Sequence, residues 1–337
     1  MKVLILTNSF SGGGAEKSMS ILHREFLGLG FNSKLCALML GDKPEQIEEG
    51  IQLSRKWKSG IFATLNNFLQ YYKVLEEFKP NYVIANCELS EMYIALTPQW
   101  FEKVVVVEHT TFPWRGRRFL GVVVRLILRA RRVSWATVSK RSELIWPLRH
   151  KATYIANPIV ATKEFTSNST KISCTGLVCI GRLVSSKRTD WVLRLGKELN
   201  VPVLVIGDGI LRDELREEFP EADFLGFQDS PWSFLDYGQL LIVPSDFEGD
   251  GLVVAEAILQ RIPVLLRKTK DFESFNLPEM NYFSDEQQLR EITMDACESG
   301  LERYIPSESL KDRLFEERDP KKVAMRWVNF LETMGPK

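Results

Sequence analysis

Short apolar runs, bounded by turn residues and separated by segments with helical spacing, set the rhythm of this chain. In the first half these are VLILT (3–7), KLCALML (34–40), YVIAN (82–86) and KVVVVEH (103–109), with Met19, Leu22, Phe26 and Leu29 at helical spacing after the first. Strand runs alternating with helical segments predict a parallel sheet. After Asn157-Pro158 the polar stretch ATKEFTSNSTKIS carries no periodicity. The pattern then restarts with LVCIGRL (177–183), PVLVIGDG (202–209), ADFLGF (222–227), LLIVPS (240–245) and IPVLL (262–266). The expected architecture is α/β, with a Rossmann-like domain over 1–160, a linker near 158–172 and a second Rossmann-like domain over 165–337. Return of the last helix to the first domain is an open alternative. Strands this rich in Val, Ile and Leu fit burial on both faces, and in such sheets ligands sit outside the carboxyl ends of the strands.

Composition narrows the class. With 337 residues, 45% hydrophobic and 26% charged, the chain has room for two ordinary α/β domains. The net charge of zero hides a division: residues 1–157 carry 22 Lys and Arg against 13 Asp and Glu, so the remainder is equally acidic. A basic half fits nucleic acid, anionic lipid, a phosphorylated ligand or simple attraction between the halves. Cys36, Cys87, Cys174, Cys179 and Cys297 share no metal-like spacing and read as reduced thiols. No apolar stretch approaches bilayer length, and MKVLILT opens directly on a strand, so the expectation is a cytoplasmic, non-spanning protein.

The candidate chemistry falls at strand ends. Ser11-Gly12-Gly13-Gly14-Ala15-Glu16-Lys17 joins the first strand to a helix, where glycine backbone can approach a phosphate; a plain tight turn explains it as well. It fits neither the dinucleotide fingerprint nor the Walker ending. Glu108-His109-Thr110 leaves the strand KVVVVE, with His109 either facing a ligand or serving a structural role. Arg182 and Lys187 lie five residues apart beyond LVCIG, spaced to converge on a diphosphate or to stand as ordinary surface charges. Gly207-Asp208-Gly209 reads as a sharp turn that shapes the backbone. The most specific stretch is PSDFEGDGLVVAEAILQRIPVLL (244–266), where Glu248 precedes a glycine turn and Glu256 lies in the second turn of a helix starting near Gly251. Two carboxylates can thus border one ligand from different elements.

SGGGAE, EHT, IANPI, GRLVSSK, VIGDG, FLGF and EGDGLVVAEA, in this order over residues 1 to 270, resemble the family-4 retaining glycosyltransferases of the GT-B fold. That resemblance implies two Rossmann-like domains facing across a cleft, the donor nucleotide sugar held mainly by the second and the acceptor by the first. It assigns Arg182 and Lys187 to the diphosphate, Glu256 to the ribose hydroxyls and Glu248 to the donor sugar. Gly251 and Leu252 offer turn amides, Phe227 and Gln228 border the base, His109 contacts the sugar, and Gly13 and Gly14 let amides approach the diphosphate. Asp250 stands where many family members carry an aromatic residue, and it fits beside a diphosphate only if it faces sugar hydroxyls.

The implied reaction is retaining, metal-independent transfer of a hexose or N-acetylhexosamine, with UDP as the expected nucleotide and no separate cofactor; no suitably placed D-x-D signature is present. For the basic half, Arg118, Arg125, Arg129 and Arg132 fall within about 60° on a helix, with Val122, Val123, Leu126 and Ile127 in other directions. This predicts an outward arginine stripe over an inward apolar side. With Arg55-Lys56-Trp57-Lys58, it suits the anionic inner face of a cell membrane and a lipid-linked saccharide or lipopolysaccharide acceptor; no nucleic-acid motif accompanies the cations. The alternatives are a GT-B nucleotide-sugar epimerase or phosphorylase, or a non-catalytic sugar-nucleotide binder at the membrane surface.

Overall fold

The computed structural model describes all residues except 11, 41–46, 57–59, 99–102, 110–112, 115, 141–143, 149, 161–171, 237 and 335–337, and the side chain of residue 61. The chain divides into two units, Met1–Ile159 with Glu317–Lys337, and Val160–Glu316. The first unit contains β1 (Lys2–Thr7), α1 (Gly14–Gly28), β2 (Asn32–Ala37), β3 (Gly50–Gln52), α2 (Ile61–Phe78), β4 (Tyr82–Ala85) and α3 (Glu88–Leu96). It continues through β5 (Lys103–Glu108), α4 (Arg118–Ala130), β6 (Ser134–Thr137), the short β7 (Leu144–Ile145) and β8 (His150–Lys151), and β9 (Thr153–Tyr154). Seven of these strands form one parallel sheet in the order β3-β2-β1-β4-β5-β6-β9, while β7 and β8 pair antiparallel.

Alternation along β1 builds two cores. Leu4 and Leu6 face Tyr71 and Leu75 of α2, Tyr93 of α3 and Val124 and Leu128 of α4, whereas Val3 and Ile5 face Met19, Leu22 and Phe26 of α1. The second unit contains β10 (Gly176–Ile180), α5 (Thr189–Leu199), β11 (Val203–Ile206), α6 (Arg212–Glu218), β12 (Asp223–Gly226) and β13 (Gln239–Val243). After these come α7 (Leu252–Gln260), β14 (Val264–Arg267), β15 (Tyr282–Phe283), α8 (Glu286–Ser299) and α9 (Glu308–Arg318), whose last two residues already belong to the first unit. Its parallel sheet runs β12-β11-β10-β13-β14-β15.

The last helix, α10 (Pro320–Thr333), belongs to the first unit. Asp319 caps it by accepting from the Lys322 N–H at 2.9 Å, Pro320 sets the first turn, and Val323, Ala324, Trp327, Val328 and Leu331 complete the core against α1. Glu317 fastens this return through Tyr154 and Lys140, both at 2.6 Å, and Ile159 N–H donates to Arg318 O at 3.0 Å. All five cysteines are free.

The structure corrects the arginine stripe. Arg125 is buried, 1% exposed, with Nε and Nη2 on Glu91 at 2.9 and 2.8 Å and Nη1 on Glu108 at 2.8 Å. Its charge faces inward because two buried carboxylates, one on α3 and one ending β5, need a cation. Burial works against the charge, but the Glu91 hydrogen bonds and the charges of Glu91 and Glu108 hold the guanidinium pKa above the usual arginine range. The inward side of α4 is Gly121, Val124, Arg125 and Leu128, with the Trp114 indole seated directly against Gly121. Val123, Leu126 and Ile127, expected inward, are exposed. In the other basic patch Arg55 folds back onto Thr64 and Met39, while Trp57 and Lys58 lie outside the described residues.

Candidate functional site

In the second unit three neighbouring strands, β10, β13 and β14, send loops from one carboxyl edge. After β10, Arg182 is exposed and carries no side-chain partner among the described residues, and a single 3-10 turn over Ser185–Lys187 presents Lys187. After β13 the loop carries Ser245, Asp246 and Glu248. Lys187 Nζ pairs with Glu248 Oε1, and Ser245 Oγ donates to the same oxygen at 3.1 Å. The loop after β14 closes the arrangement: Asp271 accepts from the Glu248 N–H at 3.0 Å, and Arg267 pairs with Asp246. Asp246 N–H in turn donates to Ser186 O at 2.9 Å. Three loops thus fix one lysine and one glutamate as a half-buried pair, with side chains 22% and 19% exposed.

Two glycines make this geometry. Gly207 has φ +146°, and a Cβ there would stand 1.9 Å from Gly181 O, so the 207–209 turn can lie against the loop that presents Arg182. Gly251 caps α7 with φ +65°, and a Cβ there would meet the Phe275 ring at 3.0 Å. The first N–H groups of α7, beginning with Leu252, precede any intrahelical acceptor, and with the helix dipole they favour an anion.

Glu256 lies one turn further along α7. Its Oε2 accepts from Trp232 Nε1 at 2.9 Å, and Trp232 is 4% exposed in the 3-10 turn Pro231–Phe234. Trp232 carries no site signal in the sequence, because an isolated tryptophan reads as core. Phe227 is exposed in the loop before this turn, and Gln228 Nε2 donates to Leu225 O at 3.1 Å. Asp250 is half-buried.

In the first unit Gly13 and Gly14 are exposed at the start of α1, and His109 is half-buried immediately after β5. The strands β1 and β5 flank β4, and Asn86 at the end of β4 donates to Ala15 O at 3.4 Å. The Arg125–Glu108 pair anchors the residue before His109. Ser11 and Thr110 lie outside the described residues. The structure therefore joins Lys187 to Glu248 and seats Glu256 on Trp232 in one unit, with Gly13, Gly14 and His109 in the other. Among the described residues no group of three or more His, Cys, Asp or Glu side chains is placed to hold a metal ion.

Residues 175–279 match the family model for glycosyl transferases group 1. No curated protein matches the chain. Among solved structures, HepE of Anabaena in complex with UDP and glucose aligns with a TM-score of 0.76 at 17% identity, covering 99% of this chain and 100% of that one. Sucrose-phosphate synthase from Thermosynechococcus elongatus aligns with a TM-score of 0.79 at 14% identity, covering 99% and 98%. The lipopolysaccharide outer core galactosyltransferase WaaB in its apo form aligns with a TM-score of 0.71 at 15% identity, covering 99% of each chain. The chain has the GT-B fold, and residues 175–279 of its second unit are similar to the glycosyl transferases group 1 family.

Proposed function

We propose that this protein is a retaining, metal-independent glycosyltransferase. It moves a hexose or N-acetylhexosamine from a UDP-sugar to a glycan or lipid-linked saccharide in cell-surface polysaccharide or lipopolysaccharide synthesis, in the cytoplasm at the anionic inner face of the cell membrane. The observation that carries the reading is the Lys187–Glu248 pair beside the N-terminus of α7, inside the stretch that matches the family model. Departure of a nucleoside diphosphate builds negative charge on its phosphate oxygens, and fixed cations and N–H groups stabilise that change more than the ground state. Lys187, Arg182 and the first amides of α7 supply both kinds of group without a metal ion. Without donor, Glu248 shares the Lys187 charge; with donor, Lys187 turns to the diphosphate and the Glu248 carboxylate is left to the sugar. Glu256, oriented by Trp232, takes the ribose hydroxyls, and Phe227 and Gln228 border the base. For Gly13, Gly14 and His109 the roles stay those that the resemblance implies. UDP in HepE and the lipopolysaccharide substrate class of WaaB support the donor and acceptor classes, and the basic excess of residues 1–157 supports the membrane.

The test is UDP release from a panel of UDP-sugars with and without saccharide acceptor, alongside thermal stabilisation by UDP. Acceptor-dependent release and a raised Tm are expected, since a ligand bound only by the folded state stabilises it. Lys187→Ala loses both, whereas Glu248→Gln keeps UDP affinity and loses turnover. Stabilisation by no nucleoside diphosphate, or a Lys187→Ala enzyme that behaves as the parent, overturns the assignment.

A further inference from the structure

The outer face of α4 is apolar. At 100° per residue Phe119, Leu120, Val123, Leu126 and Ile127 share one arc of about 120°, and all five are exposed, Phe119 at 84% and Leu126 at 50%. Arg118 and Arg129 border this arc on one side. A soluble surface helix normally turns such a face to its core, but here the core side is already filled by Gly121, Val124, Arg125 and Leu128. An exposed apolar patch rimmed by cations marks an interaction surface.

Two observations of charge select its occupant. Residues 109–142 contain nine Arg and Lys and no Asp or Glu; among the described ones, Arg125 is paired with Glu91 and Glu108, and Lys140 with Glu317. At the C-terminal end of α4 an open pocket of about 420 Å³ is lined by Arg129, Arg132, His150 and Lys151, together with Trp135 and Phe330. None of those four basic side chains has a carboxylate partner among the described residues. A second copy of this chain is disfavoured, because a twofold contact would bring the same basic surface against itself. Nucleic acid would leave the apolar arc uncovered.

We infer that α4 lies in the surface of an anionic phospholipid bilayer, its apolar arc among the acyl chains and a lipid phosphate in the pocket at its C-terminal end. The inference rests on the membrane location proposed above, and replaces an arginine stripe with apolar insertion as the means of attachment. Insertion supplies the salt-resistant part of binding and the pocket the salt-sensitive part.

Flotation of the full chain with phosphatidylcholine vesicles, and with vesicles of phosphatidylcholine and phosphatidylglycerol, tests it. Binding to the anionic vesicles alone is expected. Phe119→Ser with Leu126→Ser lowers the partition coefficient about tenfold or more, because two large side chains lose apolar burial. Arg129→Ser with Arg132→Ser and Lys151→Ser lowers it by a similar factor and removes most of the salt dependence. Both variants change exposed side chains, and UDP release with a water-soluble acceptor is unchanged in both. Parent-like flotation of either variant overturns the inference, as does equal binding to neutral vesicles. So does a dimer in light scattering that the Phe119 and Leu126 substitutions dissolve, which would give the face to a second copy. Donor turnover without vesicle binding sinks the membrane assignment and leaves the glycosyl-transfer reading standing.

Discussion

Replacing Arg125 with methionine removes a charge and keeps most of the side-chain length. Glu91 and Glu108, 3% and 6% exposed, then lose their cation, and Glu91 loses two charged hydrogen bonds at 2.8 and 2.9 Å. Breaking a buried ion pair from one side costs about 3–5 kcal/mol, whereas an exposed pair is worth about 0–1 kcal/mol. Set against a typical domain stability of about 5–15 kcal/mol, the larger figure removes much of what holds the first unit folded. Hydrogen exchange on amides of β4, β5 and α3, with urea unfolding, reads the change in the unit that carries it. The second unit is expected to keep its protection. Arg125→Met combined with Glu91→Leu recovers part of the loss, since a packed apolar pair can replace a buried ionic one. A loss below about 1 kcal/mol in Arg125→Met would refute the burial of this charge and return it to the solvent face.

Three further outcomes follow from the same geometry. Trp232→Phe removes one hydrogen bond to the Glu256 carboxylate and is expected to weaken UDP binding by about five- to tenfold in calorimetry, the equivalent of roughly 1–1.4 kcal/mol; unchanged affinity would detach Glu256 from the nucleotide. His23 is buried between Ser33 Oγ and Glu48 O, both at 2.8 Å, and burial lowers its pKa from 6.5. The unfolded chain therefore takes up that proton first as pH falls below 6.5, so stability held above 6.5 declines below it, and His23→Gln flattens that part of the profile in thermal melts. A fragment of residues 160–316 is expected to fold and bind UDP weakly, and a folded fragment with no binding in calorimetry would remove the nucleotide from this unit.

Strands buried on both faces are the legible part of this sequence, because an unbroken run such as KVVVVE needs no partner to be recognised. Three edge strands are not legible in the same way: β3, β9 and β15 have two or three residues each, too few for any periodicity, whereas the edge strand β12 lies within the run ADFLGF. Helical spacing orders side chains around α4 but leaves open which side meets the sheet. Glu91 and Glu108 decide that, from positions 34 and 17 residues away, and only the fold brings them to Arg125. At the candidate site the two glutamates and the basic pair are visible as motifs. Their anchoring is not, since Lys187 and Glu248 are 61 residues apart, and Asp271 and Trp232 come from loops without a motif of their own.

Placing α10 in the first core also fixes an order of events on the ribosome. The surfaces of Val3, Ile5, Met19 and Phe26 await Val323, Trp327 and Leu331, which are synthesised after the whole of residues 160–316. At about 5–20 residues per second, that wait lasts roughly 10–30 s. During it the second unit can fold at once while the first has only α1 over that side of its sheet and leaves the α10 site uncovered, so nascent chains should carry a sticky N-terminal half. Shortening the chain at its C-terminus would make that state permanent, and the damage would appear in the half of the protein made first.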